Sequence, residues 1–200
     1  MRASRNADSI FGGAGNQQLR GLAGGDFLSG GADFDTADYR RDGLAGGNQG
    51  IMANLSNTAE NWFGTIINAS QIKDGFGTFD TVSGIERVRG TTSGDLFFSG
   101  TGNDTFEGGA GPDAFMFSMG NGNDTIMDFE SGLGGGDAVT LRGMANFDTL
   151  LEVQAAMTEG VDADGDTFMD DVIINLDAGN SIALLNRTIS QLAGDDFTFM

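Results

Sequence analysis

The chain has 200 residues, 34 of them glycine, with 23 aspartates against 6 glutamates, no cysteine, no histidine and a formal net charge of −19. Without His or Cys there is no Ser-His-Asp or Cys-His nucleophile and no zinc site of the usual ligand set, and so acidic a chain repels nucleic-acid phosphates. A single lysine (Lys73) outside any G-x-x-x-x-G-K-[ST] run excludes a P-loop, and no apolar stretch approaches the ~18 residues of a membrane span.

Taken in chain order, the first pattern is a repeat. From Ala3 the residues fall into nines: ASRNADSIF, GGAGNQQLR, GLAGGDFLS, GGADFDTAD. The sixth column reads Asp8, Gln17, Asp26, Asp35, and the eighth reads Ile10, Leu19, Leu28, Ala37. Residues 40–89 hold no clean repeat. Ile51–Leu55, Gly64–Ile67 and Thr81–Val88 are expected as short strands between Gly, Asn and Asp turns. A partial copy, GFGTFDTVS from Gly75, puts Asp80 and Val82 in the same columns. Trp62 and Phe63 have the chemistry of a sugar platform, but packing on the repeats or capping them is the stronger expectation.

A second array starts at Gly90 with GTTSGDLFF, SGTGNDTFE and GGAGPDAFM. After Phe117 and Ser118 comes MGNGNDTIM. Its sixth column is Asp95, Asp104, Asp113, Asp124, and its eighth is Phe97, Phe106, Phe115, Ile126. Beyond Phe129 the pattern changes. GLGGGDAVTL predicts a turn and a strand. Phe147, Leu150, Val153 and Met157 form a helical stripe, with Asn146 or Asp148 as its cap and Gly160 as its end. Val172–Leu176 and Ser181–Leu185 flank Asp177-Ala178-Gly179-Asn180 and predict a hairpin. Asp162-Ala163-Asp164-Gly165-Asp166 opens like an EF-hand loop. Thr167 stands where that loop needs Gly, and Ile173 where it needs Glu, so a solvated acidic turn is expected.

The columns have a physical reading. Six Gly-rich residues make a turn, and three with an apolar centre make a very short strand. One unit cannot bury its apolar residue, but two make a coil of about 18 residues and stacked coils bury a continuous stripe. Stacking also sets the sixth-column carboxylates of successive coils over one gap. An oxygen-preferring cation of the Ca²⁺ type, with 6–8 ligands, relieves the repulsion there. The excess of Asp over Glu fits short carboxylates held close to turns.

These columns resemble G-G-x-G-x-D-x-U-x, the nonapeptide of the RTX (repeats-in-toxin) family. GGAGPDAFM and SGTGNDTFE are its closest copies here, and the tail is similar to serralysin-like C-terminal segments. The resemblance implies an all-β, right-handed parallel β-roll with several Ca²⁺ ions in its turns, and a short helix and hairpin in the C-terminal segment. It implies that Asp95 shares an ion with Asp113, Asp104 with Asp124, and Asp8 with Asp26, with Asp80 in the same role. Gln17 facing Asp35 departs from the pattern, and that site is expected to be weak or empty. Turn ligation falls to Gly100, Gly102, Gly108, Gly109, Gly111, Gly120 and Gly122.

Residues 1–128 are then one roll with an irregular middle (repeats 3–38 and 90–127), and 129–200 a capping and secretion segment. Arg2 and Arg5 precede no apolar run, so no classical signal peptide is expected. The closing Asp195–Met200 resembles the uncleaved signal of type I secretion, which implies a bacterial extracellular protein with calcium and the type I machinery as partners. The first repeat begins at Ala3 with no capping segment, which points to a piece of a longer protein or to pairing through that end. Catalysis is not expected, since a zinc protease needs His. A remnant or C-terminal module of a secreted RTX enzyme, and an adhesion or matrix module, are the alternatives.

Overall fold

Within the repeats, turn and strand alternate so that successive strands join opposite sheets. The computed structural model describes residues 1–132 and 136–200. The first array supplies β1 (Ser9–Gly13), β2 (Gln18–Leu19), β3 (Phe27–Gly31) and β4 (Thr36–Asp38). The middle holds helix α1 (Asp42–Ala45), β5 (Met52–Asn54), β6 (Glu60–Trp62), β7 (Thr65–Ile67) and β8 (Gln71–Lys73). Then follow β9 (Phe79–Ser83), β10 (Arg87–Arg89), β11 (Leu96–Phe98), β12 (Thr105–Glu107), β13 (Ala114–Ser118) and β14 (Asn123–Ile126). The tail forms β15 (Ala138–Arg142), α2 (Leu150–Ala156), β16 (Met157–Val161), β17 (Asp171–Asp177), β18 (Asn180–Leu184) and β19 (Phe197–Phe199).

One sheet runs β1-β3-β9-β8-β5-β11-β13-β15-β19, and the other β16-β17-β18-β14-β12-β10-β4-β2. Pairing within the arrays is parallel, and it stacks eighth-column residues on one another: Ile10 on Leu28, Leu19 on Ala37, Phe97 on Phe115 and Val88 on Phe106. The fold is a parallel β-roll. Its interior is one apolar cluster running from Ile10 to Phe197. Phe117, one of two inserted residues, is swallowed by this core, and the pairing of Phe106 with Ile126 continues past the insertion.

The two arrays abut. In the shorter sheet β4 pairs directly with β10, whereas in the longer sheet β8 and β5 are interposed between β9 and β11. Ion pairs run beside and across the direct seam. Arg20 pairs with Asp38 within the first array and Arg89 with Glu107 (2.6 Å) within the second, while Arg40 meets both Asp38 (3.0 Å) and Glu107 (3.5 Å). Opposite charges directly across neighbouring strands favour this register over a slipped one.

Some expectations need correction. Thr81–Val88 is two strands: β9 and β10 flank a bend at Gly84, so this stretch passes from one sheet to the other. The helix cap is Thr149, not Asn146 or Asp148: Thr149 Oγ1 accepts from Glu152 N–H while the Glu152 carboxylate reaches back, a full capping box. Gly160 does not end the helix, because Met157–Val161 is already strand β16, paired antiparallel with β17. The hairpin of β17 and β18 forms as expected. Part of the turn expected within GLGGGDAVTL, residues 133–135, lies outside the described residues.

The β6–β7 hairpin folds back over the outer face of the longer sheet. There Trp62 and Ile67 cover Leu96, Phe98 and Met116. Trp62 therefore packs on the roll. Phe63 does not: it occupies the hairpin tip with φ +46° and is 94% exposed. The two-residue turn aims it outward.

Candidate metal centre

The repeat turn is built around its sixth residue. In the unit from Gly108 to Met116, Gly109 and Gly111 take φ of +101° and +108°, which L-residues other than Gly adopt only at a cost. Gly108 has a different reason to be glycine: a Cβ there would collide with Asp113 Oδ2. The same overlap recurs between Gly21 and Asp26, Gly30 and Asp35, and Gly90 and Asp95. First-column glycine thus clears a cradle for the second oxygen of the sixth-column carboxylate. Asp33, in a glycine column, also takes a positive φ (+75°), and its carboxylate accepts from Gly15 N–H of the coil before (2.8 Å).

The first carboxylate oxygen stitches coils together. Asp8 N–H donates to Asp26 Oδ1 (2.7 Å), Asp95 N–H to Asp113 Oδ1 (2.8 Å) and Asp104 N–H to Asp124 Oδ1 (2.8 Å). These are the three expected pairs, and the insertion leaves the third intact. Gln17 N–H donates to Asp35 Oδ1 in the same way (2.7 Å). Asp80 continues the first array by accepting from Asp26 N–H (2.8 Å).

Three further carboxylates, outside the eight nonapeptides, join these ladders. Asp137 accepts from Asp113 N–H (2.9 Å), Glu86 from Asp35 N–H (2.8 Å), and Asp128 from Gly108 and Gly109 N–H (2.8 and 2.9 Å). The only sequence signal for Asp137 is its position before the apolar run Ala138–Leu141. Glu86 lies nine residues before Asp95, in register with the second array, whereas Asp128 carries no signal, because strand pairing brings it into place.

The second oxygens face the turns. Those of Asp26, Asp35 and Asp113 are buried with no hydrogen-bond partner, and so is Gln17 Oε1. Others are partly satisfied: Asp95 Oδ2 accepts from Thr91 N–H (2.6 Å), Asp104 Oδ2 from Gly100 N–H (2.7 Å) and Asp124 Oδ2 from Ser99 Oγ (2.7 Å). Asp8 is the mild case, since Ser4 Oγ and N–H both donate to its Oδ2 (2.6 and 2.8 Å) and hold its carboxyl below the usual range.

Burial, followed by neighbouring carboxylate charge, pushes Asp113 up to about 8. Burial likewise carries Asp95 and Asp124 to about 7 and Asp137 to about 6. No lysine or arginine is paired with any of these groups among the described residues. Buried carboxylates in this state either stay protonated or take up a cation. Unpartnered oxygens, cradles a Cβ would fill and an all-oxygen donor set fit a hard divalent cation such as Ca²⁺.

The remaining expected glycines divide. Gly122 N–H is taken by Asn180 Oδ1 (2.9 Å), and a Cβ on Gly122 would strike the carbonyl of Gly102 in the preceding coil. A Cβ on Gly111 would press on Ser93 and Gly94, and one on Gly100 on the carbonyl of Leu55. Gly120 stands apart: its Cβ position meets no atom within 4 Å, so it serves the turn by its φ of +79°.

Outside the ladders, Asp162, Asp164 and Asp171 bring carboxylate oxygens within 4.8 Å of one another. Their hydrogen bonds come from backbone N–H groups: Asp162 Oδ1 accepts from Gly165 N–H (2.8 Å), and buried Asp171 from Ala163 and Asn186 N–H (2.6 and 2.8 Å). Asp171 thus ties this acidic turn to the chain just after β18.

Residues 3–37 and 80–114 match the family model of the RTX calcium-binding nonapeptide repeat. No curated relative matches the chain. Among solved structures it is similar to the extracellular lipase LipA from Serratia marcescens, at 15% identity and a TM-score of 0.40, over 99% of this chain and 39% of the lipase. The chain thus spans well under half of that protein's length.

Proposed function

We propose that this RTX-type calcium-binding repeat protein is a secreted β-roll whose folding is driven by Ca²⁺ met outside the cell. The observation that carries the reading is the set of buried, unpartnered carboxylate oxygens at Asp26, Asp35 and Asp113, each in a glycine-cleared cradle and stacked over the next coil. Without cations the acid ladders oppose folding, and the glycine-rich chain has a large ordering entropy to overcome. Binding only to the folded form reverses that balance by mass action. Extracellular Ca²⁺ modules bind at about 10⁻⁴–10⁻³ M, so such sites stay empty in a cytosol and fill outside it.

The C-terminus supports coupling of export to folding. Phe197 is buried and β19 pairs with β15, while Asp196 accepts from Ala193 N–H (2.7 Å). The segment that resembles a type I export signal therefore ends in the edge strand of the folded sheet, with Asp196 and Phe197 buried and Asp195, Thr198 and Met200 exposed. Among the described residues no helix is long and apolar enough to cross a membrane.

We assign the chain a binding role, because its perturbed carboxylates are tied to backbone N–H groups of the neighbouring coil, as Asp113 is to Asp95 and Asp124 to Asp104. Far-UV circular dichroism during a Ca²⁺ titration tests the reading. A disordered spectrum in chelator that turns to β structure in the 0.1–1 mM range is expected; full β structure in excess chelator overturns it.

A further inference from the structure

Basic residues are scarce in this chain, 10 against 29 acids, and four of them meet at one place. Arg2, Arg5, Arg20 and Arg41 line a cavity of about 240 Å³ where the entry to the first repeat, the turn after β2 and helix α1 come together. The chain at Arg2 runs parallel to the chain at Arg20, and Arg5 Nη2 donates to the Ala45 carbonyl (2.7 Å), which ties the first repeat to α1.

The four arginines are not equivalent. Arg20 is neutralised, since its Nε and Nη2 donate to buried Asp38. Arg2, Arg5 and Arg41 have no acidic partner among the described residues. Three uncompensated guanidinium groups in one cavity repel one another, and an anion bound between them removes the repulsion.

A second observation concerns the wall beside them. Second-column glycines of the first array take positive φ, as Gly13 (+114°) and Gly31 (+117°) do. Leu22 stands in that column and takes φ +65°, a conformation costly for a bulky residue. Its side chain is 5% exposed, yet it belongs to neither apolar cluster of the roll. It lines the cavity instead, together with Ala45 and the largely exposed Leu44. Where the turn calls for glycine, leucine gives the arginines an adjoining carbon surface. Backbone strain of this kind is retained where a site uses the side chain.

We propose that this cavity binds a small soluble phosphate monoester, its phosphoryl group held by Arg2, Arg5 and Arg41 and its carbon skeleton resting on Leu22 and Leu44. A phosphate monoester carries about −1.5 to −2 charges and three strong acceptor oxygens, which match three guanidinium forks better than a singly charged carboxylate does. A small ligand interacts chiefly with the charges nearest to it, because those beyond about 8–10 Å are screened. An anionic membrane or an extended polyanion meets the net −19 of the whole chain. None of the cavity residues belongs to the carboxylate ladders, so the site is separate from the Ca²⁺ turns.

Calorimetric titration of glycerol 3-phosphate into the full chain, folded by circular dichroism in about 1 mM Ca²⁺, tests the proposal. One binding step is expected, with sulfate competing and acetate not. Arg41→Ala breaks no ion pair of the fold and should weaken the step about 10-fold or more, the loss of one charge-assisted hydrogen bond. Arg142→Gln removes the same charge beside Glu60, outside the cavity, and should leave the affinity unchanged. Circular dichroism in the same buffer verifies that both variants fold. No binding by the folded chain, an equal loss in both variants, or acetate competing as well as sulfate overturns the phosphate site. Sedimentation with phosphatidylglycerol but not phosphatidylcholine vesicles, without binding of glycerol 3-phosphate, overturns it in favour of a membrane surface.

Discussion

The two arrays share one turn geometry and differ in what fills the core beneath it. The second stacks Phe97 on Phe115 at 5.0 Å and 8° between planes, with Phe106, Phe117 and Phe129 closing around them. The first has Ile10, Leu19, Leu28 and Ala37 in the same column. The acids do not divide the same way: Asp8 is relieved by Ser4 and Gln17 replaces an acid, but burial raises Asp26 and carries Asp80, which continues the first column, to about 8, as it does Asp113. Both arrays therefore resist folding without a cation. Aromatic burial sets the second apart, and it stands to form the tighter unit once ions are bound.

The largest effect that tests this contrast is removal of Ca²⁺. Hydrogen exchange in chelator should leave the amides of β11–β14 unprotected, and Ca²⁺ should restore them as one cooperative unit; protection retained in the second array alone would break the comparison. Next comes the aromatic stack. Phe115→Ala is expected to cost about 3–5 kcal/mol in Ca²⁺-saturated denaturant melts, against less for Ile10→Val in the first array, at about 0.5–1.5 kcal/mol.

An intermediate effect concerns protons. In the ion-free chain the carboxyls of Asp95, Asp113, Asp124 and Asp137 are raised to between about 6 and about 8 from an ordinary 3.8. A carboxyl raised on folding adds stability that is complete below its unfolded value and lost as pH climbs through its folded value. Residual structure in chelator should thus be greater at pH 5 than at pH 8, and Ca²⁺ affinity should move the other way because the ion displaces those protons. Thermal melts with and without Ca²⁺ at the two pH values measure both slopes. Asp8→Asn should leave them nearly unchanged, since that carboxyl is lowered, not raised.

The smallest expected effect is a gain. The Gln17 amide oxygen already occupies the cradle position opposite Gly12. Gln17→Asp should tighten one Ca²⁺ step of the first array in a calorimetric titration, with little change in the ion-saturated melt.

Much of the site was legible before any fold was known. Asp26, Asp95, Asp104 and Asp113 could be found because a nine-residue period in the chain becomes a fixed position in every coil, so local spacing and spatial stacking coincide. Asp137 and Asp128 obey no period, whereas Glu86 keeps the nine-residue step to Asp95 in a unit, TVSGIERVR, that lacks glycine in its first two columns. All three reach the ladders through parallel pairing across insertions, as when Phe115 pairs with Val139 and Val88 with Ala37. The helix cap was misplaced for a similar reason: Asn146, Asp148 and Thr149 are all capable, and Thr149 prevails because Glu152 lies three residues beyond it.

By itself, then, the sequence determined the repeat unit, the apolar stripe, the carboxylate column and the class of cation, because each follows from residue chemistry at short range. The tertiary structure decided that the two arrays meet edge to edge, that the tail completes both sheets, and that Arg2, Arg5, Arg20 and Arg41 come to line one cavity. Those outcomes depend on pairing between strands far apart in the chain, where the gain from burying one continuous core outweighs the entropy of closing long loops.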